Sequence, residues 1–325
     1  MVITQTPLRM SFFGGGTDFP EFYKEHGGAV ISTTFDKYCF VIVRHLPRFF
    51  DYSTELAYSI TERVTSVNDI KHPAIREAMK YLDMNEIRLT YESDLPARSG
   101  LGTSSAFAVG MLNAFYALKG MYVDKRKLAD DAIHLERTLC NESGGIQDQI
   151  AVSFGGFNRI EFNTDGYKVN PVIMPSERKL LLNDHLMLFF TRFPRFSSYI
   201  QTSVKSALKD KENQLLEILR LVDEGEKILT SNGDLNDFGR LLNHTWKLKR
   251  DITSEISTDF IDDIYNSALQ AGALGGKLLG AGGGGFLLFY VEKEKRHFVR
   301  KALENLLYVP FMFENTGTQV IHYTS

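Results

Sequence analysis

A glycine-broken loop runs directly into a long apolar helical pattern between residues 95 and 118. It reads Leu95-Pro96-Ala97-Arg98-Ser99-Gly100-Leu101-Gly102-Thr103-Ser104-Ser105-Ala106, and Val109, Leu112, Phe115 and Tyr116 follow at helical spacing. The pattern predicts a helix over 104–118. Gly100 and Gly102 permit turns that other residues resist, so consecutive N–H groups can converge where the helix begins. A helix N-terminus adds about half a positive charge. Thr103, Ser104 and Ser105 bring three hydroxyls to the same place. An N-cap on a buried helix needs only one, although such a cap remains the plainer alternative. The loop 98–105 therefore reads as an anion site, with hydroxyls suited to phosphate oxygens or a hard cation. It is not a Walker loop, because the chain has no Gly-x-x-x-x-Gly-Lys-Ser/Thr.

Two further glycine-rich segments flank it. The first is Pro7-Leu8-Arg9-Met10-Ser11-Phe12-Phe13-Gly14-Gly15-Gly16-Thr17-Asp18. Its glycines let a ligand approach the backbone. Arg9 offers a planar fork of donors suited to phosphate, and Asp18 offers an acceptor pair suited to hydroxyls. A tight turn capped by Thr17 and Asp18 fits the same residues. The other segment is Gly275-Gly276-Lys277-Leu278-Leu279-Gly280-Ala281-Gly282-Gly283-Gly284-Gly285. Residues 280–285 satisfy Gly-x-Gly-x-x-Gly, but that fingerprint must follow a strand and open a helix. Here it is expected to follow a helix at 259–272 and to open a strand at 286–291, which excludes a dinucleotide site. Ordering so many glycines costs backbone entropy, so the run is expected to pack closely on another loop or on a ligand.

Strands are expected at 27–45, 87–91, 157–162, 185–191, 286–291 and 319–323, and further helices at 72–82, 126–139, 198–230, 235–250, 259–272 and 293–306. Asn, Asp, Pro and Ser collect at 163–184, so the chain is divided into 1–175 and 176–325, a mixed α/β protein in two parts. The net charge of −3 provides no basic field for nucleic acid or an anionic membrane. No apolar stretch approaches the ~20 residues of a membrane span. The two cysteines, Cys39 and Cys140, have no metal-ligand spacing. Reduced thiols and a cytoplasmic location are the expectation.

The three segments, in this order and at these distances, resemble the GHMP kinase superfamily over nearly the whole chain. The resemblance implies an α/β (α+β) two-domain fold: an N-terminal mixed α/β domain holding the ATP phosphate loop, and a C-terminal ferredoxin-like α/β domain. It also implies ATP and Mg²⁺. Phe-Gly-Gly-Gly-Thr-Asp at 13–18, Gly-Ile-Gln-Asp-Gln at 145–149 and the late glycine run look like the heptose 7-phosphate kinase branch. That branch phosphorylates the anomeric hydroxyl, and the fucose kinase branch is a close relative. Arg9 and Asp18 are nine apart, as in galactokinases, but Gly14-Gly15-Gly16 stands where those enzymes have Gly-Glu-His. That departure argues against galactose. Glu136 precedes Asp148 by twelve, the spacing of metal ligand and catalytic aspartate in galactokinases. The resemblance thus implies Ser104 and Glu136 at Mg²⁺, and Asp148 with Arg9 as the catalytic pair. It places Arg98, Ser99, Gly100, Leu101, Gly102, Thr103, Ser104 and Ser105 on ATP. Gly14, Gly15, Gly16, Thr17, Asp18, Gly145 and Gln147 fall to the sugar.

The chemistry is compatible with those roles. Phosphoryl transfer is largely positioning and charge neutralisation, and Mg²⁺ keeps several waters, so one hydroxyl and one carboxylate suffice. Taken alone, Glu136 would read as a helix-surface residue. An acceptor that already carries a phosphate needs a second basic site. Arg195, just before Ser197 and Ser198 and an expected helix start, suits it. An exposed arginine beside serine caps fits equally, and Phe193-Pro194 is bulkier than the family pattern. Lys277 either reaches the same anion or snorkels. His244 and Trp246 read as core or interface. The expected partner is a small sugar or sugar phosphate, with no nucleic acid or membrane. A homodimer is compatible with the sequence. Some galactokinase relatives are non-catalytic sugar sensors, but the joint presence of Arg9, Glu136 and Asp148 disfavours that reading.

Overall fold

The strand that organises the molecule, Val2–Phe13, has the least strand-like sequence. Thr4, Gln5, Thr6, Arg9 and Ser11 interrupt its alternation, yet it lies between Gly28–His45 and Gln319–Tyr323, antiparallel to both. The helix Thr103–Leu118 covers it, and Thr4 and Thr6 find partners there. Thr4 Oγ1 donates to Gly110 O at 2.9 Å, and Thr6 and Thr318 hydroxyls meet at 2.8 Å. In this computed structural model the described residues are 1–97, 99–191 and 197–324, less the side chains of 197–199.

Among them, a nine-stranded sheet runs Gln319–Tyr323, Val2–Phe13, Gly28–His45, Ile87–Ser93, Thr54–Ala57, Thr61–Val64. Phe157–Asn163 pairs with the first half of Gly28–His45, and Gly166–Pro171 pairs beyond it. A four-stranded antiparallel sheet runs Leu307–Val309, Leu186–Phe190, Phe286–Tyr290, Gly275–Leu278. In chain order that is 4-1-3-2 with helices after the first and third strands, the ferredoxin-like βαββαβ arrangement. The smaller sheet is built wholly from residues after 175. The larger one takes residues before 175 plus two strands that return at the C-terminus, Phe313–Glu314 and Gln319–Tyr323. Phe238, from the helix Asn236–Arg250, packs its ring edge-on to Phe12 and Phe13 at 5.3 and 5.1 Å, joining the two parts in one core.

Several local expectations change. The helix expected at 126–139 is an α-helix, Lys125–Ile133, continued by a π-helical turn, His134–Leu139. The span 198–230 holds two helices, Ser197–Ala207 and Glu212–Thr230. The last helix is shorter than 293–306, at Arg296–Ala302. The polar stretch 163–184 contains the strand Gly166–Pro171 and the helix Ser176–His185. The glycine run begins inside a strand, Gly275–Leu278, so it does follow a strand. It still opens the strand Phe286–Tyr290, and that hairpin geometry is what excludes the dinucleotide reading. Trp246 is buried in the second core, as its position suggested. No helix among the described residues is long and apolar enough to cross a membrane.

Candidate active site

Arg9 is 4% exposed and spends its whole fork inside the protein. Nε donates to Asp148 Oδ1 at 2.7 Å and Nη2 to Asp148 Oδ2 at 2.5 Å, a bidentate pair. Nη1 donates to Gly100 O at 2.7 Å, and the backbone N–H of Arg9 donates to Leu101 O at 3.0 Å. One residue therefore ties the first strand to the loop before Thr103–Leu118 and to the first turn of the helix Gln147–Phe154, which carries Asp148.

Asp18 is 3% exposed. Its carboxylate accepts from the Gly16 N–H at 3.1 Å and the Gln147 N–H at 3.3 Å. Burial first, then the charge of Asp148, raises its carboxyl above the ordinary value, against the pull of those N–H groups and the Gln147 side chain. Gly145 lies flat against it: a Cβ there would overlap the Asp18 carboxylate.

Glu136 is 2% exposed and projects from the π-helical turn. Ser104 Oγ donates to Oε1 at 2.9 Å, Ser105 Oγ to Oε2 at 2.8 Å, and the Gln149 amide also donates to Oε2. Among the described residues no lysine or arginine forms an ion pair with it. A buried carboxylate surrounded only by neutral donors suits a hard cation that brings its own charge, so the donor set fits Mg²⁺.

A cleft partly open to solvent connects the Arg9–Asp148 pair with Asp18. Arg9, Gly15, Gly16, Asp18, Gly145, Gln147, Asp148 and Lys277 all line it. Ser11 Oγ and Gln147 Oε1, also in the lining, are buried without a hydrogen-bond partner among the described residues. Gly14 and Thr17, expected among the sugar ligands, stand behind the wall. Thr17 is fully buried and its hydroxyl bridges Gly14 O and Ala29 O, both at 2.9 Å, so the two brace the turn. Residues 99–105 do not line this cavity and lie on the far side of Arg9. Leu101 is buried and Ser105 turns its hydroxyl to Glu136, leaving Ser104 as the exposed hydroxyl of that pair. Arg98 and Arg195 lie outside the described residues.

Lys277 is 2% exposed and donates to Phe12 O at 2.7 Å. Burial, then the nearby charges of Lys249 and Arg9, push its ammonium well below the ordinary lysine range. Lys249, Arg137 and Gln201 complete the polar lining. The sequence reading missed these three and also Gln149. Gln149 stood in the quoted Gly-Ile-Gln-Asp-Gln stretch and Arg137 directly beside Glu136. Lys249 and Gln201, on helices expected to be ordinary, carried no local signal.

Residues 68–156 match the family described as GHMP kinases N terminal domain, and residues 226–309 match GHMP kinases C terminal. The chain is 32% identical over 314 residues to the D-glycero-alpha-D-manno-heptose 7-phosphate kinase of Campylobacter jejuni, covering 92% of each. The chain belongs to the GHMP kinase family. The crystal structure of a D-glycero-D-manno-heptose 1-phosphate kinase from Bacteroides thetaiotaomicron superposes over the full length of both chains, with a TM-score of 0.73 and 26% identity. The L-fucokinase/L-fucose-1-P guanylyltransferase of Bacteroides fragilis is 25% identical over 91% of this chain and 35% of its own length. This GHMP kinase is a sugar kinase: an ATP-dependent phosphotransferase with an alcohol group of a small sugar as acceptor.

The late glycine run packs on the loop before Thr103–Leu118. A Cβ at Gly285, whose φ is +106°, would overlap the Ser99 carbonyl oxygen. In this GHMP kinase, Gly285→Ala is expected to raise the KM for ATP about tenfold and leave the sugar KM within about twofold, since a displacement near 1 Å is enough for such losses. Steady-state kinetics with each substrate varied checks it; an unchanged ATP KM would show that this contact does not shape the nucleotide site.

Proposed function

We propose that this kinase transfers the γ-phosphate of ATP to the anomeric hydroxyl of D-glycero-D-manno-heptose 7-phosphate, giving the 1,7-bisphosphate. The observation that carries the reading is the cavity. It joins the Arg9–Asp148 pair to Asp18 on one side, and to Lys249 and Lys277 on another. Asp148 accepts the acceptor's hydroxyl proton as that oxygen attacks phosphorus. Arg9 offsets charge on the transferring group. Asp18, Gly15, Gly16, Gly145 and Gln147 receive the sugar, and the unpartnered Ser11 Oγ and Gln147 Oε1 are hydrogen-bonding points for its hydroxyls. A buried lysine whose proton affinity is lowered by burial and by two neighbouring cations favours an anionic acceptor, because an incoming phosphate offsets both effects. Residues 98–105 hold the nucleotide phosphates. Ser104 and Glu136 would hold Mg²⁺, which when bound would supply positive charge to the transferring phosphate. We place the enzyme in the cytoplasm.

The match to an L-fucokinase supports a second reading, in which the acceptor carries no phosphate. ATP consumption with heptose 7-phosphate, mannose 6-phosphate, fucose and galactose separates the two. The expected result is a kcat/KM for heptose 7-phosphate at least about a hundredfold above the others, because the cationic lining attracts a phosphate and gains nothing from an uncharged sugar. Preference for fucose would overturn the phosphorylated-acceptor reading.

A further inference from the structure

We propose that Arg137 is a positioning residue for the acceptor: it holds the loop 141–146 so that the loop presses on Asp18. This rests on the reading that Asp18 receives the sugar. Arg137 follows Glu136 in the π-helical turn His134–Leu139, a form of helix often found at functional sites. The two neighbouring side chains serve different halves of the site. Glu136 reaches Ser104 and Ser105, whereas Arg137 reaches back to its own following loop.

The guanidinium binds three carbonyls within four residues. Nη1 donates to Glu142 O at 3.2 Å and Ser143 O at 2.9 Å, and Nη2 donates to Gly145 O at 2.8 Å. Asn141 at φ +52° and Gly144 at φ +137° bend the chain so that these oxygens point inward together. Converging carbonyl dipoles repel unless a cation sits among them. No described carboxylate forms an ion pair with Arg137, and its Nε has no hydrogen-bond partner among the described residues. The side chain's hydrogen bonds are thus spent on the loop's carbonyls rather than on a carboxylate.

The loop is packed on both faces. On one face Gly145 lies against the Asp18 carboxylate, and the Ile146 N–H donates to Asp18 O at 3.2 Å. On the other, a Cβ on Gly144 would come within 2.9 Å of Gln201 Nε2, from the helix Ser197–Ala207. Releasing the three carbonyls lets the loop relax and removes the wall behind Asp18. Asp148, two residues past Ile146, is held independently by the bidentate bond to Arg9. The loss therefore falls on acceptor binding more than on the chemical step or on ATP.

The test compares R137A, R137K and D18A, each assayed with ATP and with the panel sugar of highest kcat/KM, alongside thermal melting. R137A is expected to raise the acceptor KM about tenfold or more, with kcat and the ATP KM within about threefold. R137K, which keeps a cation but not the fork, is expected to fall between R137A and the parent; it carries the test alone if R137A does not fold. An acceptor KM that rises in D18A but not in R137A or R137K overturns the proposal. An acceptor KM unchanged in D18A overturns the underlying reading of Asp18 instead. Equal rises in both KM values together with a large fall in melting temperature would show a purely structural arginine, and would also overturn it.

Discussion

Asp148→Asn is expected to lower kcat by about three orders of magnitude, within the 10²–10⁴ range a positioned general base contributes, while ATP still binds. The geometry sets both halves of that expectation. Asp148 lines the cavity proposed to receive the acceptor, and its two oxygens are fixed by Arg9 Nε and Nη2 at 2.7 and 2.5 Å. Asparagine has nearly the same shape, so the helix Gln147–Phe154 and the cavity persist. It retains one acceptor oxygen and turns an amide toward one guanidinium N–H, which weakens the pair without emptying the site. What it loses is the capacity to take a proton from the attacking hydroxyl. The loop proposed to hold the ATP phosphates keeps its tie to Arg9, since Gly100 O still accepts from Nη1 at 2.7 Å. Calorimetric titration with a non-hydrolysable ATP analogue should therefore give a dissociation constant within about threefold of the parent. Turnover within tenfold of the parent would remove Asp148 from proton transfer.

Glu136→Gln is expected to have the next largest effect, a loss of about a hundredfold or more in kcat/KM at millimolar Mg²⁺, partly recovered at higher Mg²⁺. Glutamine preserves the volume and keeps one acceptor oxygen for one of the two serine hydroxyls, which donate to the carboxylate at 2.9 and 2.8 Å, while its amide nitrogen can only donate to the other hydroxyl oxygen. The substitution isolates the charge. In the parent that charge is buried among hydroxyl and amide donors, a costly arrangement without a cation. Removing it should leave thermal stability measured without divalent ions undiminished, while abolishing the stabilisation that added Mg²⁺ and ATP give the parent. Equal metal-dependent stabilisation in the two proteins would place Mg²⁺ elsewhere.

The parts of this protein legible in advance were those written in a few adjacent residues. The loop 98–105 announces a helix start with converging donors, and the helix Thr103–Leu118 follows it. The glycine run at 275–285 announces close packing, and Gly285 packs on Ser99. Strand Val2–Phe13 was not legible, because its polar residues are buried by partners from Gly110 and Thr318, more than a hundred positions away. The helix Ser176–His185 was hidden by its polar composition. Gly14 and Thr17 looked like ligands because glycine and hydroxyl serve bracing and binding equally well, and only the direction of the Thr17 hydroxyl separates the two.

The sequence by itself determined the family, the glycine loop that starts the helix Thr103–Leu118, and the spacing of Glu136 and Asp148. Those features are local backbone geometry and side-chain type, encoded within a turn or two of chain. Only the tertiary structure decided which basic groups line the cleft beside Asp148. Arg9 meets Asp148 across 139 positions, Lys277 meets Phe12 across 265, and Lys249 joins them from a helix with no distinguishing motif. Such meetings depend on how two sheets pack around one core. The cost of burying each charge is met there by partners that no local pattern names.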